Sequence, residues 1–131
     1  MYLRFITEYV DKNGDIDRGI FNVLRFIRED SATQDDDADL LKNLMNWFNN
    51  NLDAPDKFSN ATNKNPESIS LSWFKDSAKK HIGKIYEIRG LLSKYGIEVE
   101  VLTTKTPGYI IYEDDYQISA IPFKADRSKV I

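Results

Sequence analysis

At 131 residues, with 41% apolar, 30% charged and 12% aromatic side chains and a net charge of −3, the chain has the composition of one folded domain, expected over residues 1–131. It contains no cysteine, which excludes disulfides, thiolate nucleophiles, cysteine-ligated zinc and iron–sulfur clusters. Residues 1–65 carry 8 basic and 12 acidic side chains and residues 66–131 carry 10 and 9, so neither half has the positive field of a nucleic-acid binder.

The chain opens with an alternation: Leu3, Phe5, Thr7 and Tyr9 against Tyr2, Arg4, Ile6 and Glu8. That period predicts a half-buried strand. Asp11-Lys12-Asn13-Gly14-Asp15 reads as a turn. A helix is predicted from Asp17 as N-cap, with Ile20, Val23, Leu24 and Ile27 as its apolar stripe. A second helix is predicted over 35–51. Asp35, Asp36, Asp37 and Asp39 suit its positive N-terminal end, and Leu40, Leu41, Leu44, Trp47 and Phe48 form the predicted buried face. Asn49-Asn50-Asn51 predicts fraying at its end.

Residues 53–67, with Pro55 and Pro66, read as a long mobile loop. Ser68–Phe74 reads as a strand and 75–95 as the best-defined helix, with Gly96 at its C′ position. Ile97–Thr104 alternates apolar with Glu98 and Glu100, a strand with one wet face. Pro107-Gly108 turns the chain. Tyr109–Glu113 and Tyr116–Phe123 are predicted to form a hairpin around Asp114-Asp115, and the tail 124–131 to fray. The predicted fold is α+β: a single-layer, mixed but mostly antiparallel sheet of about five strands, ordered β-α-α-β-α-β-β-β, with three helices mainly on one face. The unit at 68–104 should be a right-handed crossover between parallel strands, and the last three strands an antiparallel meander.

No apolar run approaches the ~20 residues that span a bilayer. Charges at Arg4 and Glu8 interrupt what would be a signal-peptide core, so the expected address is cytoplasmic and the Asn60-Ala61-Thr62 sequon is idle there. Asp11, Asn13 and Asp15 sit at calcium-loop spacing, but glycine comes two places early and the twelfth-position acid is Asn22, so a hairpin turn is expected instead. Gly-x-Ser-x-Gly and glycine-rich phosphate loops are absent.

Three groups of residues carry candidate chemistry. His81, the only histidine, falls at helical spacing on the apolar stripe of the third helix with Ala78, Ile85, Ile88 and Leu92, and Arg89 follows two turns later on the same side. Together they suggest a general base beside an anion-binding guanidinium; the alternative is a core histidine bonded to a backbone group. Glu113, Asp114 and Asp115 cluster where carboxylates hold a divalent metal, though a turn also selects aspartate. Gly83 and Gly90 lie on the outward face of the third helix with Glu87 and Lys94. Glycine costs roughly 1 kcal/mol against alanine there, so its presence points to a contact surface. Lys75, Lys79, Lys80 and Lys84 give that helix a basic N-terminal half, spread around it rather than in one stripe.

Trp73-Phe74-Lys75, the helix with His81, and the stretch Pro107-Gly108-Tyr109-Ile110-Ile111-Tyr112-Glu113-Asp114-Asp115-Tyr116-Gln117-Ile118 resemble a family of small bacterial proteins without an assigned activity. Arg4-Phe5 in a first strand, Trp47-Phe48 closing a helix and Leu52-x-x-Pro55 extend the resemblance over most of the chain. It implies a bacterial single-domain protein and carries over no functional residue. The expected function is a non-catalytic protein-interaction or regulatory module, binding itself or another protein through Gly83, Glu87, Gly90 and Lys94, with no cofactor and no membrane. The alternatives are a small hydrolase-like enzyme using His81 and Arg89 or the carboxylates at 113–115, and a weak nucleic-acid binder.

Overall fold

The structure, a computed structural model, describes residues 1–55 and 70–126. Among these residues it is α+β, with six strands, three α-helices and a terminal 3-10 turn at Lys124–Asp126. The elements are β1 (Tyr2–Val10), β2 (Ile16–Gly19), α1 (Ile20–Glu29), α2 (Asp35–Asn51), β3 (Leu71–Lys75), α3 (Lys79–Lys94), β4 (Val99–Thr104), β5 (Tyr109–Glu113) and β6 (Gln117–Ile121). The sheet runs β2-β1-β3-β6-β5, with β4 pairing β1, and the four ladders along that path are antiparallel. This is the predicted fold class with one additional short strand.

That strand is the first correction. Asp17 is not the N-cap of α1 but lies in β2, paired with Tyr9 across a hairpin. The cap is Gly19, whose N–H is 3.0 Å from the Asp17 carboxylate, so the side chain supports the strand-to-helix corner and the helix begins two residues later than expected. The hairpin turn is as predicted. Asp11 Oδ1 accepts the N–H groups of Asn13 (2.8 Å) and Asp15 (3.0 Å), and Gly14 takes φ 82°. A carboxylate used this way closes an Asx turn rather than a calcium loop.

Topology supplies the next corrections. β3 pairs β1 and β6 rather than β4, so the predicted crossover strands are not neighbours, and only β5 and β6 survive of the predicted meander. The reason lies in β6, Gln117-Ile118-Ser119-Ala120-Ile121, which is buried at every position. It lies inside the sheet, with β3 on one edge and β5 on the other, so β4 pairs β1 instead. Smaller differences concern the helices. Leu40, placed on the buried face of α2, is 50% exposed. Lys75 belongs to β3, since α3 begins at Lys79. Asn51 stays helical, with its amide donating to the Trp47 carbonyl at 2.8 Å.

The chain divides into two compact units. One comprises 1–4, 53–79 and 102–131 and the other 5–52 and 80–101. The first is built on the antiparallel ladders of β3, β6 and β5, with Trp73, Ile118 and Ala120 at its core and Tyr2, Leu71 and Leu102 packed around them. The second buries Phe5 of β1, the stripe Ile20, Val23, Leu24 and Ile27 of α1, Leu41, Leu44 and Phe48 of α2, and Ile85, Ile88 and Leu92 of α3. The α1 and α2 stripes fall where the helical period placed them, Leu40 excepted. Much of the predicted loop 53–67 and the end of the predicted tail lie outside the described residues.

Candidate functional site

The functional candidates of α3 separate according to helical angle. His81 is buried, as its place on the stripe predicted, and its Nε2 lies 2.7 Å from the Asn51 carbonyl oxygen. Its ring meets Trp47 edge-on, with centroids 4.8 Å apart. Arg89 is not on the buried stripe. It is exposed, because eight residues of helix rotate it about 80° from His81 and set it roughly 12 Å further along the axis. Its guanidinium stands 5.8 Å from the centroid of Tyr86 on the outer side. The structure therefore does not bring His81 and Arg89 together as an acid–base site.

The hairpin carboxylates also diverge. Glu113 pairs with Lys75 at 2.6 Å. Asp114 turns back into the hairpin and accepts from Tyr112 Oη (2.8 Å), the N–H groups of Tyr116 (2.8 Å) and Gln117 (3.0 Å), and Gln117 Nε2 (3.0 Å). Burial pushes its pKa up, but these donors outweigh that and hold it below the usual carboxylate range. Asp115 is exposed. Among the described residues no three of histidine, aspartate and glutamate are grouped to hold a metal ion.

The outer face of α3 is different. Gly83, Tyr86, Gly90 and Ser93 follow one another at spacings of three and four, so they form one stripe opposite Ile85, Ile88 and Leu92. A Cβ built on Gly83 or Gly90 would meet nothing within 4 Å among the described residues. Tyr86 is 44% exposed, yet its ring is braced: Phe5 packs edge-on at 5.7 Å and Arg89 covers it. Glu87 flanks the stripe and lies 3.6 Å from Lys84. Lys94, predicted to belong to this surface, is turned away to Asp37 at 2.9 Å.

That contact anchors the end of α3. Tyr95 Oη donates to the same Asp37 oxygen at 2.5 Å and accepts the Gln34 N–H at 3.1 Å. Tyr95 and Lys94 hold the Asp37 carboxyl below its usual range, while Asp37 raises the pKa of both partners. Gly96 closes the helix at φ 77°, letting the Ile97 N–H reach the Leu92 carbonyl at 3.0 Å.

Beside this end runs a groove of about 960 Å³, lined by Ile6–Val10 of β1, Ile97–Glu100 of the β4 segment, and Arg89, Ser93, Tyr95 and Gly96. Its exposed carboxylates Glu8, Glu98 and Glu100 outnumber the single cation Arg89. Alternation around Glu98 and Glu100 signalled the wet face of β4, but nothing local in the sequence joins it to Glu8. Ser93 belongs to both the groove and the α3 stripe, and Arg89, which covers Tyr86, also lines the groove, so the two features are contiguous. No protein-family model matches this chain, and no curated protein or solved structure is significantly similar to it.

Proposed function

We propose that this protein is a non-catalytic interaction module that docks a protein partner on the outer face of α3, around Tyr86 and Arg89 and between Gly83 and Gly90. One observation carries the reading: a half-exposed tyrosine held rigid by an aromatic edge and a guanidinium, flanked by glycines that leave its surroundings open. Tyrosine and arginine are the residue types that most often anchor protein interfaces, and pre-ordered side chains lose little entropy on binding. The commitment of His81 and Asp114 to backbone contacts supports a binding role over an acid–base one. The acidic surplus of the adjoining groove favours a protein surface over a nucleic acid. The sequence resemblance supports a bacterial setting. Among the described residues no helix is long and apolar enough to cross a membrane.

The absence of cysteine makes the test direct. A single Ser93→Cys variant carries an environment-sensitive fluorophore at the end of the stripe. The protein is then concentrated for light scattering, or passed over a bacterial lysate for pull-down. The expected result is a dimer or a retained partner, with a fluorescence change that Tyr86→Ala and Arg89→Ala each weaken at least about tenfold. A strict monomer that retains nothing, or a complex indifferent to both substitutions, overturns the reading.

A further inference from the structure

In the unit built on β3, β6 and β5, two buried N–H groups have no acceptor among the described residues: Nε of Arg4 and Nε1 of Trp73. The ladder between β1 and β3 pairs Tyr2 with Lys75 and Leu3 with Phe74. Directly opposed residues of an antiparallel pair face the same side, and sides alternate along the strand. One further step of this register sets Arg4 opposite Trp73, on the face shared with Tyr2 and Lys75. The guanidinium is held over this part of β3 by Nη1, which donates to the Ser72 carbonyl at 3.2 Å.

The surroundings define what the two donors lack. Trp73 is 1% exposed and packs with Ile118 and Ala120, so its N–H is beyond the reach of bulk solvent. Burial also draws the pKa of Arg4 below its usual value, and no carboxylate pairs with it among the described residues. Lys75, the other cation on this face, is already neutralised by Glu113. What is missing among the described residues is therefore an acceptor with one negative charge. A water molecule would satisfy the hydrogen bonds but leave the guanidinium unneutralised, and a phosphate dianion would bring more charge than one free cation balances.

We propose that Arg4 Nε and Trp73 Nε1 together hold the carboxylate of a small monoanionic ligand, whose apolar body lies against the neighbouring, partly buried Tyr2, Leu71 and Leu102. This binding site is separate from the α3 surface and stands independently of it.

The chain has two tryptophans, so its indole N–H region contains two nitrogen-15 NMR signals, assigned with Trp47→Phe. The wild-type protein is titrated with sodium butyrate, butyramide, methyl phosphate and sodium chloride at matched ionic strength. Butyrate is expected to move the Trp73 indole signal saturably in the millimolar range and leave Trp47 in place. Butyramide and chloride are expected to do neither, and methyl phosphate to bind more weakly. Arg4→Gln should weaken butyrate at least about tenfold. Butyramide or chloride acting as well as butyrate overturns the proposal, as does a linear response or an undiminished response in Arg4→Gln. Tighter binding of methyl phosphate overturns the assignment to a carboxylate. The wild-type titrations decide the question even if Arg4→Gln does not fold.

Discussion

Gly108 tests the fold at the place where its geometry is tightest. It takes φ 122°, a region that residues with a Cβ rarely enter. A Cβ added there would abut the Ile121 carbonyl oxygen, and would stand 2.7 Å from the Ile121 carbonyl carbon and 2.9 Å from Pro122 Cα. All three atoms are backbone, at the end of the ladder in which Tyr109 pairs with Ile121, so no side chain can swing aside. Dihedral strain and overpacking add, and Gly108→Ala should cost about 3 kcal/mol or more, lowering Tm by roughly 10 °C in a chain of this size. Gly83→Ala and Gly90→Ala are the internal controls. Both sites are helical and open, so each should gain about 1 kcal/mol. Urea denaturation of the three variants measures all of this. A Gly108→Ala protein within about 0.5 kcal/mol of wild type would refute the close approach of the Gly108 turn to the end of β6.

Other predictions follow from the polar contacts. His81→Ala should cost about 3 kcal/mol in the same denaturation assay, because it removes both the bond to the Asn51 carbonyl and a buried ring against Trp47. Asp114→Ala should cost about 2 kcal/mol and lower hydrogen-exchange protection at the β5–β6 turn, since three residues lose their acceptor. The depressed pKa of Asp37 stabilises the fold above the ordinary aspartate range, and that contribution disappears as pH falls through the folded value. The raised values of Lys94 and Tyr95 act in the other direction: their contribution is full below the ordinary lysine and tyrosine ranges and disappears as pH rises through the folded values. Asp37→Asn should therefore flatten both ends of a Tm-against-pH profile, and a profile unchanged at both ends would contradict the Asp37–Lys94–Tyr95 contact.

The elements legible in the sequence are those whose own period encodes them. The stripe of α1, the alternation of β1 and the C′ glycine at Gly96 are local signals, and each sits where it was predicted. Strand partners are not local. β6 pairs with β3, more than forty residues earlier in the chain, because its small and apolar residues are buried on both faces. Its Gln and Ser concealed that burial: Gln117 is buried because its amide bonds the Asp53 carbonyl and Asp114, which hydropathy cannot register. β2 was missed because Asp17 looks equally suited to an N-cap and to a turn-flanking strand. Its carboxylate reaches the Gly19 N–H, a bond an N-cap also makes, so the outcome was decided by its backbone, which pairs with Tyr9 of β1.

The site residues divide in the same way, and the division has a physical cause. The outward, open placement of Gly83 and Gly90 was legible because glycine in an exposed helix is disfavoured wherever nothing requires it, a signal that needs no partner. Arg89 was misplaced because an 80° rotation is enough to move a side chain from the margin of a buried stripe to solvent. Arg4 and Trp73 gave no signal at all: one was an alternating polar residue in a strand and the other a core aromatic. Their common property is an N–H without an acceptor among the described residues, which is apparent only once β1 and β3 are in register. A pair of donors separated by nearly seventy residues becomes visible only through the ladder that aligns them. The butyrate titration therefore tests the register and the ligand chemistry together. The Trp73 signal must respond and the Trp47 signal must not, because Trp47 lies in the other unit, against His81 and Phe48.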